Sequence, residues 1–436
     1  MTTDRPDPSR TAAGRPGPSR AAGGAGDPGR AARPRTPGGA AFTVGLIVNP
    51  VAGIGGPAGL KGSDGAGVQR EALARGASPR AGERAALAVR ALLARRPDTR
   101  IVTVAGPMGE DSVRAAGGVP ELVRQAPGDP SSPRDTTAAV EAMRDVDLLL
   151  FAGGDGTARD VLDGSPSCPV LGVPAGVKVY SGCFAVSPAA AGTTAAEFGR
   201  DAGRAGETDG PESTDGPGST GGAGSTLAAE VVDLDEDAYR SGRVSPLLYG
   251  TLRVPAARAR LSGRKVGSSA AAPGSAEAIA REVAARMRPG VRYVLGPGAT
   301  TMAVGRLLGL STTLLGVDVV QDGELVAADV TERRLLGLVD GHETCAVLSV
   351  IGGQGFVLGR GNQQIGPAVL KKIMASGGLL VLATQQKLAG LGGRPLLADT
   401  GDPEADALVA GHVSVITGHR ESAVYRIRPA TEEFPA

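Results

Sequence analysis

Residues 146–161 read Val-Asp-Leu-Leu-Leu-Phe-Ala-Gly-Gly-Asp-Gly-Thr-Ala-Arg-Asp-Val. The apolar run Leu148 to Ala152 stops at Gly153 and Gly154; Asp155 follows, and Gly156 and Thr157 lead into a pattern that opens a helix. An unbroken apolar run closed by glycines predicts a parallel strand buried on both faces that turns straight into a helix. This unit commits the chain to an open α/β sheet, whose ligands bind outside the carboxyl ends of the strands. Glycines let a ligand come close to the backbone, and free N–H groups at the turn and helix start favour phosphate. A carboxylate repels phosphate, so on a functional reading Asp155 either holds Mg²⁺ or takes a proton from an attacking hydroxyl. The alternative is a tight β–α turn with Asp155 as a helix N-cap.

The remaining chain repeats strand, glycine turn and helix. Phe42 to Val48 is a predicted strand ended by Asn49-Pro50, with Gly53, Gly55 and Gly56 in the loop beyond. Asn-Pro and Gly punctuate ordinary turns, yet this loop falls at the same sheet edge as the glycine–carboxylate turn. Strands are expected at Arg100 to Ala105 and Pro169 to Val173, and helices at Glu83 to Arg95 and Thr136 to Arg144. Pro174-Ala-Gly-Val-Lys178 turns back to that edge, where the Lys178 ammonium either neutralises a phosphate or is solvated. Tyr180, Ser181 and Cys183 are expected on a helix. This alternation predicts a doubly wound parallel sheet.

Residues 1–40 are Pro, Gly, Ala, Arg, Ser and Asp and are expected to be disordered, a transit peptide being the weaker alternative. The α/β domain is placed at 41–202 and a low-complexity insertion at 203–226, with a second region at 227–436 that also reads as α/β. Within it, strands are expected at 230–234, 249–254, 291–295, 313–319, 346–351, 379–383, 413–417 and 423–427, and a helix at 275–288. The acidic run Asp233 to Asp237 reads as a solvated turn rather than a metal site. Two more strands run into glycine loops. Gly298, with Thr300 and Thr301 at a helix start, suits an anion. Arg360 and Asn362, in the polar loop 352–364, suit a phosphate or a base edge.

Composition removes several classes of function. The net charge is +1, which gives no basic field for nucleic acid or a membrane surface. The three cysteines, Cys168, Cys183 and Cys345, are far apart and form no disulfide or zinc pattern, and His342, His412 and His419 are isolated. No apolar run is long enough to span a bilayer and no secretory h-region is present, so the cytoplasm is the expected location.

Gly-Gly-Asp-Gly-Thr after an apolar strand resembles the signature of the NAD kinase and diacylglycerol kinase superfamily. The wider context, Gly45 to Gly53, the signature itself and Leu171 to Lys178, resembles the ATP-NAD kinase-like proteins of bacteria and archaea. The likeness runs from about residue 42 to 428. It implies transfer of the γ-phosphate of ATP, or a phosphate of polyphosphate, to the 2′-hydroxyl of NAD, with Mg²⁺ or another divalent metal. It also implies that Asp155 activates the hydroxyl, that Gly153, Gly154, Gly156 and Thr157 line the phosphates, and that Asn49 and Lys178 hold the donor. The Asn-Glu or Asn-Asp pair of typical NAD kinases is absent, which leaves the acceptor open. Asp160, five residues after Asp155, fits a lipid or other hydroxyl kinase of the superfamily, although the glycine-rich motif such kinases carry after the next strand is missing. A nucleotide-binding regulator without turnover, and a homo-oligomer, both stay open.

Overall fold

The computed structural model describes residues 41–60, 66–128, 131–176, 179–205, 224–234, 246–256, 261 and 275–431. The tail 1–40 and most of the insertion, 206–223, lie outside the described residues.

Five strands form the first sheet: β1 (Thr43–Val48), β2 (Arg100–Val104), β3 (Pro120–Arg124), β4 (Leu148–Gly153) and β5 (Val170–Pro174). Their order is β3-β2-β1-β4-β5, and every neighbouring pair is parallel. The chain winds outward from β1 to β3, then crosses to β4 and winds the other way. The reversal lies between β1 and β4, and crevices at such switch points receive ligands. All six residues of β4 are buried, as a strand covered on both faces requires. Phe151 packs edge-on against Phe184, with ring centroids 5.2 Å apart. Helix Ala81–Arg95 contributes Ala85, Ala88, Val89 and Leu92 to this core, and helix Pro188–Ala205 packs along it.

An antiparallel ribbon, β6 (Thr226–Leu234) and β7 (Pro246–Pro255), leads toward the second sheet. That sheet has nine strands: β8 (Arg292–Leu295), β9 (Asp318–Gln321), β10 (Glu324–Ala327), β11 (Thr344–Ser349), β12 (Phe356–Leu358), β13 (Gly378–Leu382), β14 (Leu396–Ala398), β15 (Gly411–Gly418) and β16 (Glu421–Pro429). Their order is β10-β9-β8-β11-β13-β15-β16-β14-β12. β8, β11, β13 and β15 are parallel, whereas the β8–β9, β9–β10 and β15–β16 pairs are antiparallel. Alternate residues of β11 enter different cores, Ala346 and Leu348 one and Cys345 and Val347 the other, so both faces are covered. The second region is therefore α/β with a mixed sheet, consistent with its alternating pattern.

Two local expectations are corrected. Tyr180 to Cys183 are not helical, and the helix begins at Pro188. The N–H groups of Tyr180 and Ser181 are taken by the Asp155 carboxylate, and the Cys183 carbonyl accepts from Gly172 N of β5. Nor is 313–319 one strand, since β9 starts at Asp318. The Asp318 carboxylate accepts from Thr313 N (2.7 Å) and Thr313 Oγ1 (2.9 Å), folding the stretch into a closed loop.

Among the described residues no helix is long and apolar enough to cross a membrane.

Candidate active site

Asp155 is the first residue of helix Asp155–Asp163, at the carboxyl end of β4, and only 4 % exposed. Its Oδ1 accepts from Ser181 N (2.9 Å) and Ser181 Oγ (2.7 Å), and its Oδ2 from Tyr180 N (2.8 Å). Burial pushes the carboxyl up, the Asp233 charge adds to this, and the Ser181 and Tyr180 donors oppose it. The outcome is about 7, so burial outweighs three hydrogen bonds. Such a group sits where a general base works best near neutral pH.

Asn49 follows β1 directly, and its N–H continues the ladder onto Ala152 O (3.0 Å). Its Nδ2 donates to Thr157 Oγ1 (2.9 Å), and its Oδ1 accepts from Val51 N (3.2 Å). The two loops at the switch point are thus joined side chain to side chain. Gly153 makes the junction possible: a Cβ there would lie 2.3 Å from Thr157 Oγ1. Asn49, Gly153, Gly154, Asp155, Gly156 and Thr157, all expected at one edge, are brought together there. Lys178 lies outside the described residues.

Loops of the second sheet reach the same edge. Gln354 Nε2 donates to Val179 O (2.8 Å), one residue before the Tyr180 N–H that holds Asp155. Arg360, 6 % exposed, donates from Nη2 to Val186 O (3.0 Å) and stacks over the Phe356 ring (4.7 Å). Asn362 braces its own loop, accepting from Gly359 N and donating to Val357 O. Gly298 and Thr300 open helix Ala299–Leu307 at the end of β8. Gly298 N donates to Leu314 O, and the adjoining Leu315 packs against the Tyr180–Val232 cluster, which links this turn to the Asp155 turn at one remove.

Other residues at this edge escaped the sequence reading. Ser181 and Tyr180 gave no local signal, because Asp155 holds them across a turn rather than within one element. Arg84 does carry one: it lies on the buried stripe Ala81, Ala85, Ala88 of its helix, where a solvated arginine has no place. Its guanidinium grips Asp399 through Nη1–Oδ1 (3.1 Å) and Nη2–Oδ2 (2.5 Å). Burial would raise Asp399, but the Arg84 and Arg360 charges hold it below the usual carboxylate range.

Asp233 of the acidic run pairs with Arg159 (3.3 Å), while Asp235 to Asp237 lie outside the described residues. Among the described residues no three His, Cys, Asp or Glu side chains gather into a metal cage. A roomier depression of about 700 Å³ lies at the carboxyl edge of β13 and β15, between Thr384, Gln385, Thr417 and His419. Its carboxylate, Glu421, is exposed, and no residue of the Asp155 turn lines it.

The fold and this edge define an α/β protein with a glycine–carboxylate turn at the switch point of a doubly wound sheet. Two family models match the chain, the ATP-NAD kinase N-terminal domain over residues 44–202 and the ATP-NAD kinase C-terminal domain over residues 288–427. Together they cover more than half of it, and the chain belongs to the ATP-NAD kinase-like family. Searches of curated proteins and of solved structures found no match.

Proposed function

We propose that the protein transfers the γ-phosphoryl group of ATP, or a phosphoryl group of polyphosphate, to the 2′-hydroxyl of NAD, giving NADP. The carrying observation is Asp155: a buried carboxyl near pKa 7 at the switch point, in a chain that matches both ATP-NAD kinase domains. Ser181 N and Oγ hold Oδ1, and the Tyr180 N–H is shared between Oδ1 (3.0 Å) and Oδ2 (2.8 Å), which leaves Oδ2 the less occupied oxygen. Oδ2 takes the hydroxyl proton as the 2′-oxygen attacks the γ-phosphorus. The bond from that phosphorus to the β,γ-bridging oxygen breaks, and ADP leaves with the electron pair. The N–H groups of the Gly153–Thr157 turn line the phosphates, and Asn49 fixes the facing loop through Thr157. Mg²⁺ arriving with ATP supplies neutralisation of phosphate charge.

The missing Asn-Glu or Asn-Asp pair favours a second reading, in which another small-molecule or lipid hydroxyl is the acceptor. Purified protein given Mg²⁺-ATP or polyphosphate together with NAD tests the choice. NADP in the product mixture supports NAD as acceptor. Its absence, with phosphoryl transfer to a different hydroxyl compound, moves the activity to the second reading.

A further inference from the structure

Three arginines converge beside the Asp155 turn. Arg80 and Arg84, from the start of helix Ala81–Arg95, and Arg360, from the loop after β12, line a narrow pocket of about 30 Å³ with Gly53, Ala175 and Asp399. The pocket wall is pinned to the candidate active site, since Ala175 N and Gly176 N both donate to Gly153 O (2.8 and 2.9 Å). The tight wall requires glycine at 359, where φ is +84° and a Cβ would lie 1.8 Å from Asp399 O.

Charge inside this pocket is unbalanced. The Arg84–Asp399 pair cancels one guanidinium. Arg360 stands 3.8 Å from the same carboxylate, and its buried Nε has no acceptor among the described residues. Arg80 donates to Thr400 O (3.0 Å), a neutral partner. Glu332 lies within electrostatic reach of Arg80; burial pushes its carboxyl up and the Arg80 charge opposes this. Asp155 and Asp406 lie within electrostatic reach of Arg360 and Arg84; burial raises them to about 7 and about 6, so near neutral pH they offset only part of the three guanidinium charges. A buried guanidinium N–H without an acceptor is costly, and guanidinium forks match phosphate oxygens.

We infer that the Arg80–Arg84–Arg360 pocket is an anion subsite for a phosphate group of the nucleotide substrate. The cavity is about the size of one water. It therefore takes a single phosphoryl oxygen, with the rest of the phosphate at its mouth. The identity of the nucleotide rests on the proposed function; the binding of phosphate does not.

The test is calorimetric titration of the full chain with inorganic pyrophosphate, repeated for Arg80→Ala, Arg360→Lys and Asp155→Asn. Arg360→Lys keeps the charge and loses the fork; Arg80 is half-exposed and its removal leaves the buried Arg84–Asp399 pair intact. Binding by the wild type, weakened tenfold or more in Arg80→Ala at unchanged thermal midpoint and retained in Asp155→Asn, supports the subsite. No binding by the wild type, or equal binding by Arg80→Ala and a folded Arg360→Lys, overturns it. Displacement of bound pyrophosphate by ATP alone or by NAD alone supports the inference and identifies which substrate supplies the phosphate; displacement by neither overturns the assignment to substrate. The outcomes separate from the kinase reading. Pyrophosphate binding without NADP formation leaves the subsite standing and the acceptor wrong, and NADP formation without pyrophosphate binding does the reverse.

Discussion

Ser181→Ala probes how Asp155 is tuned. Ser181 is fully buried, with its Oγ 2.7 Å from Asp155 Oδ1 and 2.9 Å from Val232 O, and it accepts from Val232 N at 3.0 Å. The hydroxyl has one proton. It serves Asp155 when the carboxyl is ionised and is free to turn to Val232 O when the carboxyl is protonated. A hydrogen bond to a charged group contributes about 1.5–3 kcal/mol, which corresponds to about 1–2 pKa units. The variant should therefore move the Asp155 midpoint from about 7 up by about 1–2 units. Stability follows with a defined sign. The folded pKa is raised from 3.8 to about 7, so the associated stability is complete below the unfolded value and is lost as pH rises toward 7. That loss is on the order of 4 kcal/mol in the wild type, and in the variant it continues to higher pH. The assay is a ¹³C-carboxyl titration with urea unfolding at pH 5 and pH 9. The variant should be destabilised more at pH 9 than at pH 5, and any activity limb set by Asp155 should move alkaline by the same interval. An unchanged or lowered midpoint would refute the reasoning.

Three further substitutions test the frame around this carboxylate. Gly359→Ala, at φ +84° and against Asp399 O, should destabilise by about 3 kcal/mol or more, read from urea unfolding; a loss under about 1 kcal/mol would contradict the close approach. Arg84→Met leaves Asp399 buried beside Arg360 without its bidentate partner and should cost about 3–5 kcal/mol. A double-mutant cycle with Asp399→Leu should recover much of that, whereas strict additivity would show that the two do not pair. Asn49→Ala removes the bonds to Thr157 and Val51 and should cost about 1–2 kcal/mol. It should also weaken ATP binding by calorimetry, and unaltered binding would detach Asn49 from the nucleotide.

The sheet edge that matters was legible because it is built locally. The runs ending at Val48, Ala152 and Val173 each stop at a turn residue, and parallel winding brings β1, β4 and β5 side by side. What supports the edge was not legible, since it depends on long-range pairs: Asp155 with Tyr180 and Ser181, Arg84 with Asp399 across 315 positions, Gln354 with Val179. No local pattern encodes such pairs. Edge strands also escaped. β3 is half-buried at Pro120 and exposed from Glu121 to Arg124, so it lacks the apolar run that announces a central strand. The Thr313 loop carries a strand-like apolar pattern in Leu314, Leu315 and Val317, while the closure by Asp318 that bends it involves a side chain.

The central claim is that Asp155 drives phosphoryl transfer from the switch point. It is tested most directly by NADP formation from Mg²⁺-ATP and NAD in wild type and Asp155→Asn, with ATP binding measured on both. The account predicts a loss of about 10²–10⁴-fold in kcat with ATP affinity retained within a few-fold. Turnover by Asp155→Asn equal to that of the wild type would contradict it.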